Sequence, residues 1–208
     1  MTRTALERLW GVAQALSRRS PARKPLPPLL FVTDPGRTPD PAAIAERLPR
    51  GAGVVFRAFG APDARDQARR LAAIARRRGL VLLVGADEVL AAASGAHGLH
   101  LPERRLAALP RLRARHPGWI ITAAAHSPAA ALRAARLGAD AVLVSAVFES
   151  ASPSAGRPIG PLRLAAMVRA TPAPVYALGG INMKNARRLL ASGAYGLAMA
   201  EGLSGPRT

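Results

Sequence analysis

The chain has 208 residues, half of them apolar, and no cysteine, which allows one domain with a full core and excludes a disulfide scaffold. No apolar run approaches the roughly 20 residues of a bilayer span, and the N-terminus lacks a signal-peptide pattern, so we expect a cytoplasmic protein without a membrane partner. The net charge of +18 is spread over every predicted helix and aromatic residues make up only 4%, which argues against a specific nucleic-acid partner.

An amphipathic segment precedes the first apolar run. Leu6, Leu9 and Leu16 fall at helical spacing, and the "SPARKPLPP" that follows is typical of a stiff connector. We therefore predict an N-terminal helix and connector over residues 1–24. Because only "SGPRT" follows the last apolar run, this helix would cover a flank left bare by a missing or shortened last helix, or would dock on a second subunit in a homodimer.

Eight short apolar runs alternate with Ala- and Arg-rich stretches from residue 29 onward. The runs cover residues 29–34, 53–58, 80–86, 98–103, 119–126, 141–148, 174–181 and 196–203. Their apolar residues are consecutive, which indicates strands covered on both faces, as in parallel sheets. Asp40, Asp63, Ser127 and Asn182 precede the intervening stretches as helix N-caps. Eight such units predict an α/β fold, a (β/α)₈ TIM barrel over residues 25–208 with an extra N-terminal helix; a doubly wound sheet is the alternative.

The carboxyl ends of barrel strands carry the reacting groups in this fold. Gly179 and Gly180 follow the seventh run, and "GAYG" opens the eighth. Loops after strands 7 and 8 commonly bind phosphate through exposed backbone N–H groups, although a Gly-Gly pair could be purely conformational. The predicted ligand-binding residues at this end of the barrel are Arg57, Ser145, Gly179, Gly180, Gly196 and Ala200.

Two residues are candidates for proton transfer. His126 ends the fifth run, and an imidazole titrates near neutrality, so it can both take and return a proton; alternatively, it caps the next helix or bonds to a loop carbonyl. Glu201 follows strand 8, where a carboxylate in a dry barrel mouth could accept a proton. It would repel a phosphate unless Arg57 or Arg157 neutralised it. We expect His100 to lie in the barrel wall with a hydrogen bond.

Four segments, "LFVTD", "SGAHGLHLPE", "AAAHSPAAALRAARLGADAVLVSAVF" and "PVYALGGINMKNARRLLASGAYGLAM", together resemble the thiamine-phosphate synthase/TenI family over about residues 29–203. The resemblance implies a (β/α)₈ barrel acting on a thiamine precursor. In the synthase, Mg²⁺ helps to join a pyrimidine pyrophosphate to a thiazole phosphate. The TenI branch instead tautomerises a thiazole without a metal, using a His whose position matches His126.

The departures from the synthase pattern concern its charged groups. Phe59 stands in place of a pyrophosphate-binding Lys, and Ala124 and Glu201 stand in place of serines. The lysine of the loop after strand 6 is missing from "SASP". Three metal-contacting positions are matched by Gly85, Ala86 and Arg105. We therefore expect a protein that binds a thiazole-phosphate or pyrimidine-like precursor, with metal-free acid/base chemistry and no cofactor.

Two alternatives remain open from the sequence. The first is a Mg²⁺-dependent thiamine-phosphate synthase whose metal site has moved to Asp87, Glu88 and Glu103. The second is a barrel that binds the ligand without catalysis. Products formed from the two thiamine precursors, with and without Mg²⁺, would separate these alternatives.

Overall fold

The computed structural model describes residues 3–150 and 156–200, and side chains from residue 5 onward. Eight parallel strands form a closed barrel in which each strand pairs with the next and β1 pairs with β8. The strands are β1 Leu29–Val32, β2 Gly53–Phe56, β3 Val81–Gly85, β4 Gly98–Leu101, β5 Ile120–Ala125, β6 Ala141–Val144, β7 Val175–Leu178 and β8 Gly196–Met199. The predicted (β/α)₈ barrel is confirmed.

Seven α-helices and two 3₁₀ segments surround or connect these strands in the described ranges. The helices are α1 Arg3–Ser17, α2 Pro41–Ala45, α3 Ala64–Arg78, α4 Glu88–Ser94, α5 Leu109–Arg115, α6 Pro128–Arg136 and α7 Gly160–Ala170. Glu103–Ala108 and Ala186–Leu189 are 3₁₀ segments, where the sequence predicts regular helix. None of the described helices combines the length and apolarity needed to cross a membrane.

Two of the four predicted cap residues, Asp40 and Ser127, cap a helix, whereas Asp63 and Asn182 do not. The side chains of Asp40, Asp87 and Ser127 each accept a hydrogen bond from the backbone N–H three residues later, which satisfies an otherwise unpaired donor. The Asp63 carboxylate does not cap α3 and instead accepts from the Gln67 amide at 2.6 Å. Gly79 ends α3 in the left-handed conformation, with φ of 64°.

The core has two layers that follow from the alternation along each strand. Leu29 and Phe31 face the helices, whereas Leu30 and Val32 face the barrel interior. Tyr176 closes the amino-terminal end of that interior and donates its hydroxyl hydrogen to Pro27 O at 2.6 Å. Because this end is filled by apolar and aromatic side chains, the polar interior positions lie toward the carboxyl end, as expected for this fold.

Helix α1 packs on the flank of its own barrel, against β8, β1 and the segment Ala186–Leu189. Leu9 and Leu16 are fully buried in the same core as the other helices. The Ser20 hydroxyl extends the attachment by donating to Gly193 O at 2.7 Å. These contacts agree with the expected covering of a barrel flank; residues 201–208, which include the predicted shortened end, lie outside the described residues.

Candidate active site at the carboxyl end of the barrel

The inward-facing positions of the first strands end in charged residues. Leu30 and Val32 of β1 are followed by Asp34 at the next inward place, and Val55 of β2 is followed by Arg57. The Arg57 backbone N–H donates to Thr33 Oγ1 at 2.9 Å, and its Nε donates to Thr33 O at 2.6 Å. Arg57 is therefore fixed at both its main chain and its side chain.

Asp34 lies between two guanidinium groups. Its Oδ2 is 2.9 Å from an Arg37 nitrogen and 3.2 Å from an Arg57 nitrogen, and its Oδ1 accepts from Gly36 N at 3.1 Å. The hydrogen bond from Arg37, with the charges of Arg37 and Arg57, holds the pKa of Asp34 below its ordinary value despite partial burial. Burial lowers the pKa of Arg57. The predicted ligand residue Arg57 is thus partly occupied by a neighbouring carboxylate.

His100 lies inside the barrel, as expected from the sequence. Its neighbours Leu99 and Leu101 belong to the outer layer, so the imidazole points inward. Nδ1 is 2.9 Å from Thr122 Oγ1 on β5. Burial, with a smaller contribution from the charge of Arg57, lowers the pKa of His100 to about 3. The ring is therefore neutral over the physiological pH range.

His126 pairs with Glu103, which the sequence indicates only as a candidate ligand of a relocated metal site. Glu103 Oε2 accepts hydrogen bonds from the His126 backbone N–H and from Nδ1, both at 2.8 Å. The two side chains are 46% and 36% exposed, so the pair is open to a ligand. Glu103 lies two residues after the end of β4, and β4 and β5 are neighbours in the barrel. That adjacency is the signal by which the pairing could have been found.

Gly179 and Gly180 follow β7 at the open end of the barrel, with φ values of 96° and 65°. A Cβ on Gly180 would overlap the Glu149 carbonyl, and one on Gly179 would lie 2.9 Å from Ala146 Cα. Both glycines are therefore required by close packing against the loop after β6. Within the described residues no group accepts a hydrogen bond from the N–H of Gly179 or Gly180. Consecutive free amides in such a turn can cradle an anion.

The structure corrects the placement of Gly196. This glycine is the first residue of β8 and pairs with Tyr176, so it lies at the amino-terminal end of the barrel. A Cβ there would overlap Pro28 O and come 2.8 Å from the Tyr176 ring. This packing requires a glycine at position 196. Because the length of the strand separates Gly196 from Gly179, the two residues cannot bind the same phosphate.

The remaining predicted ligand residues lie at strand ends. Ala200 directly follows β8, and Ser145 directly follows β6 and donates its backbone N–H to Ala125 O at 3.2 Å. Both are at the open end of the barrel, as predicted. Glu201 lies outside the described residues. Arg157, which the sequence suggested as its neutralising partner, is exposed.

The positions that match the synthase metal contacts do not fit a magnesium ion. The aliphatic part of Arg57 fills the space beside Gly85, where a Cβ would lie 3.1 Å from Arg57 Cγ. The Arg105 guanidinium donates to Ala86 O, which places a cation where carboxylate ligands would be needed. No group of three or more His, Cys, Asp or Glu side chains suited to a metal occurs in the described part of the chain.

The carboxylates proposed for a relocated metal site are separated and engaged elsewhere. Asp87 caps α4 by accepting from Leu90 N at 2.8 Å. Glu88 pairs with His116 Nε2 at 2.7 Å and with Arg115 at 3.3 Å. Glu103 bonds to His126. Each of the three carboxylates is therefore already engaged by a protein group, and none is held ready for a metal ion.

Comparisons with known proteins agree with this barrel. A family model described as thiamine monophosphate synthase matches residues 29–203. The thiamine-phosphate synthase of Chlorobium phaeovibrioides is 29% identical over 184 residues, 86% of this chain and 88% of that protein. That of Methanoculleus marisnigri is 36% identical over 128 residues, which span 61% of each protein. The solved structure of thiamine phosphate pyrophosphorylase from Pyrococcus furiosus has a TM-score of 0.72 at 29% identity, covering 82% of this chain and 84% of that one.

The family match includes every strand of the barrel, from the first residue of β1 to the last of β8. The matched range also contains all four segments whose sequences resemble the family. The chain belongs to the thiamine-phosphate synthase/TenI family of thiamine biosynthesis.

Proposed function

We propose that the protein binds a thiazole phosphate, or a related thiamine precursor, at the carboxyl end of the barrel and moves a proton on its ring without a metal ion. The observation that carries this proposal is the bond between Glu103 and His126 Nδ1. A carboxylate on Nδ1 orients the imidazole and favours a hydrogen there, which leaves Nε2 free to act as a base.

A single imidazole can carry out the whole proton transfer. Nε2 of His126 takes a proton from a carbon-bound position of the ligand, and the resulting imidazolium is stabilised by the Glu103 carboxylate. The same nitrogen then returns the proton at another ring position, so the product is an isomer of the substrate. Such a step requires no other reactant, and a positioned general acid/base contributes about 10²- to 10⁴-fold in rate.

The free amides in the loop after β7 favour the binding of an anionic ligand. The backbone N–H groups of Gly179 and Gly180 donate to no described residue, while Gly180 O accepts from the Asn185 amide at 2.8 Å. The carbonyl is thus occupied and the amides are free, which is the arrangement a phosphate group needs. Ala200 at the end of β8 keeps the adjoining position small.

The second candidate function is the coupling reaction of thiamine-phosphate synthase, because the compared proteins carry that name. The positions of Ala86 and Arg105 weigh against it, since a pyrophosphate leaving group is ordinarily stabilised by a metal ion and fixed cations. A barrel that binds a thiazole phosphate without turnover is the remaining alternative. Glu201 stays a candidate proton acceptor, and Ser145 and Arg57 stay candidate ligand contacts.

The deciding experiment uses the full chain in two reactions. In the first, a tautomer of the thiazole phosphate is incubated with the protein in the presence of EDTA, and proton NMR follows its conversion. In the second, the pyrimidine pyrophosphate and thiazole phosphate are supplied with and without Mg²⁺, and thiamine phosphate is quantified. Tautomerisation in EDTA that is lost in His126→Ala supports the proposal. Thiamine phosphate formed only with Mg²⁺ supports the synthase, and thermal stabilisation without either product supports a binding protein.

A further inference from the structure

His100 has a second ring nitrogen that the contacts above leave unused. Its side chain is only 8% exposed and points into the barrel, and Nδ1 is occupied by Thr122 Oγ1. Nε2 has no hydrogen-bond partner within the described part of the chain. Among the described side chains, Arg78 Nε is the one fully enclosed nitrogen or oxygen without a partner, so Nε2 of His100 is not sealed off. The open end of the barrel is the direction from which it is reached.

The Thr122 hydroxyl decides which ring nitrogen carries the hydrogen. Thr122 is 1% exposed, and His100 Nδ1 is its hydrogen-bond partner among the described residues. If Nδ1–H donated to Oγ1, the buried hydroxyl hydrogen would have no acceptor, which is unfavourable. If the hydroxyl donates to Nδ1 instead, both groups are satisfied. The neutral ring then carries its hydrogen on Nε2.

The position of His100 selects the part of the ligand that it meets. In a closed barrel of eight strands β4 lies opposite β8, and β7 is next to β8. A phosphate bound after β7 would therefore place the ring-bearing part of the ligand across the interior, toward β4. Arg57 packs beside Gly85, which pairs with His100 in the sheet, and its charge contributes to the lowered pKa of His100, so the two residues lie near each other.

We propose that His100 is a fixed hydrogen-bond donor of this site, held in the Nε2–H tautomer by Thr122, and that it binds an acceptor atom on the ring-bearing part of the ligand. That acceptor is a nitrogen of the ligand's ring. The nature of the ligand rests on the proposed function, whereas the tautomer does not. Thr122 is a positioning residue, since it acts through the imidazole.

The tautomer is tested on the free, full-length, ¹⁵N-labelled protein by long-range ¹H–¹⁵N NMR, with His100→Gln used to assign the signal. The expected result is an Nε2–H pattern that stays constant between pH 5 and 8. Thr122→Ser should preserve that pattern, and Thr122→Val should give a mixture of tautomers. An Nδ1–H pattern in the wild-type protein, or a ring that becomes protonated in this pH range, overturns the inference even if the variants do not fold.

The ligand contact is tested by calorimetry with thiazole phosphate, and with inorganic phosphate as the matched probe. His100→Leu should weaken thiazole-phosphate binding about three- to tenfold, the range expected for one lost hydrogen bond, and should leave phosphate binding unchanged. His100→Gln, which keeps an N–H near the same place, should restore most of the affinity. Equal affinities in wild type and His100→Leu overturn the contact. No binding of thiazole phosphate to the wild-type protein would instead contradict the proposed function, with the tautomer still decided by NMR.

Discussion

Glu103 holds His126 through two hydrogen bonds, one from the backbone N–H and one from Nδ1, both 2.8 Å long. The backbone bond fixes the carboxylate against the end of β5, and the side-chain bond fixes the orientation of the ring. This pairing orients the imidazole, which distinguishes it from a histidine that only caps the following helix. Ser127, not His126, provides the cap of α6.

Glu103→Gln should lower the rate of thiazole tautomerisation by about tenfold to a hundredfold, because the neutral amide no longer stabilises the imidazolium formed in general-base catalysis. The rate is measured by proton NMR in EDTA. Glu88→Gln is the matched control, since Glu88 also pairs with a histidine, but with His116 and not with His126. An unchanged rate in Glu103→Gln, or an equal loss in Glu88→Gln, would remove the catalytic role of the pair.

Asp34→Asn should lower the free energy of unfolding at pH 7 by about 1–2 kcal/mol, the scale of a charge-assisted hydrogen bond. The pKa of Asp34 is lower in the folded than in the unfolded protein, so its contribution is complete above the ordinary value of 3.8 and is lost as the pH falls below it. Urea titrations at pH 7 and at acidic pH measure both effects. Asp66→Asn, which breaks an exposed ion pair with Arg69, should change stability by less than about 0.5 kcal/mol; a similar effect of both substitutions would contradict the prediction.

His100→Gln should flatten the pH dependence of stability under acidic conditions. The folded protein keeps His100 neutral down to about pH 3, whereas the unfolded chain takes up a proton near pH 6.5. The unfolded state therefore binds more protons between these values, and stability falls as the pH falls, by up to about 1.4 kcal/mol per pH unit from this residue. The test compares urea titrations of wild type and variant from pH 7 to pH 4. Parallel curves would show that His100 titrates normally in the folded protein.

Gly180→Ala should destabilise the protein by about 2–4 kcal/mol, because a positive φ and an overlap with the Glu149 carbonyl act together. Gly160→Ala is the control for the backbone alone, since its φ is 73° and its Cβ would meet no atom within 4 Å. That variant should lose only about 1 kcal/mol. Thermal and urea unfolding of both variants provide the comparison. Equal losses would mean that the loop after β6 moves aside without cost.

Leu9→Ala should destabilise the barrel by about 2–5 kcal/mol, the usual cost of a cavity in a packed core, because Leu9 of α1 is fully buried. Leu162→Ala serves as the control, because this side chain is 88% exposed. Removal of residues 1–20 should likewise lower the melting temperature. A full-length Leu9→Ala protein that melts like the wild type would show that α1 is not part of the barrel's core.

The pattern of apolar and cap residues is enough to predict the barrel and several of its helix starts. Consecutive apolar residues such as Leu29–Val32 must be buried on both faces, and cap residues such as Asp40 and Ser127 mark helix starts through local hydrogen bonds. These features depend on residues close together in the chain, so a pattern suffices to predict them. The short 3₁₀ segment Ala186–Leu189 differed from its predicted helix because the distinction depends on how the turn packs, not on composition.

Contacts between residues distant in the chain are visible only in the folded barrel. Gly196 and Gly179 both adjoin an apolar run, yet they lie at opposite ends of the barrel. The limits of a strand depend on its pairing with adjacent strands, here Gly196 with Tyr176. The fold brings Glu103 to His126 and Thr122 to His100 across the β4–β5 boundary. Each contact joins residues more than 20 positions apart in sequence, and it forms only when strand register and side-chain direction are both set. Local periodicity specifies the elements, whereas the chemistry of the site depends on these distances between elements.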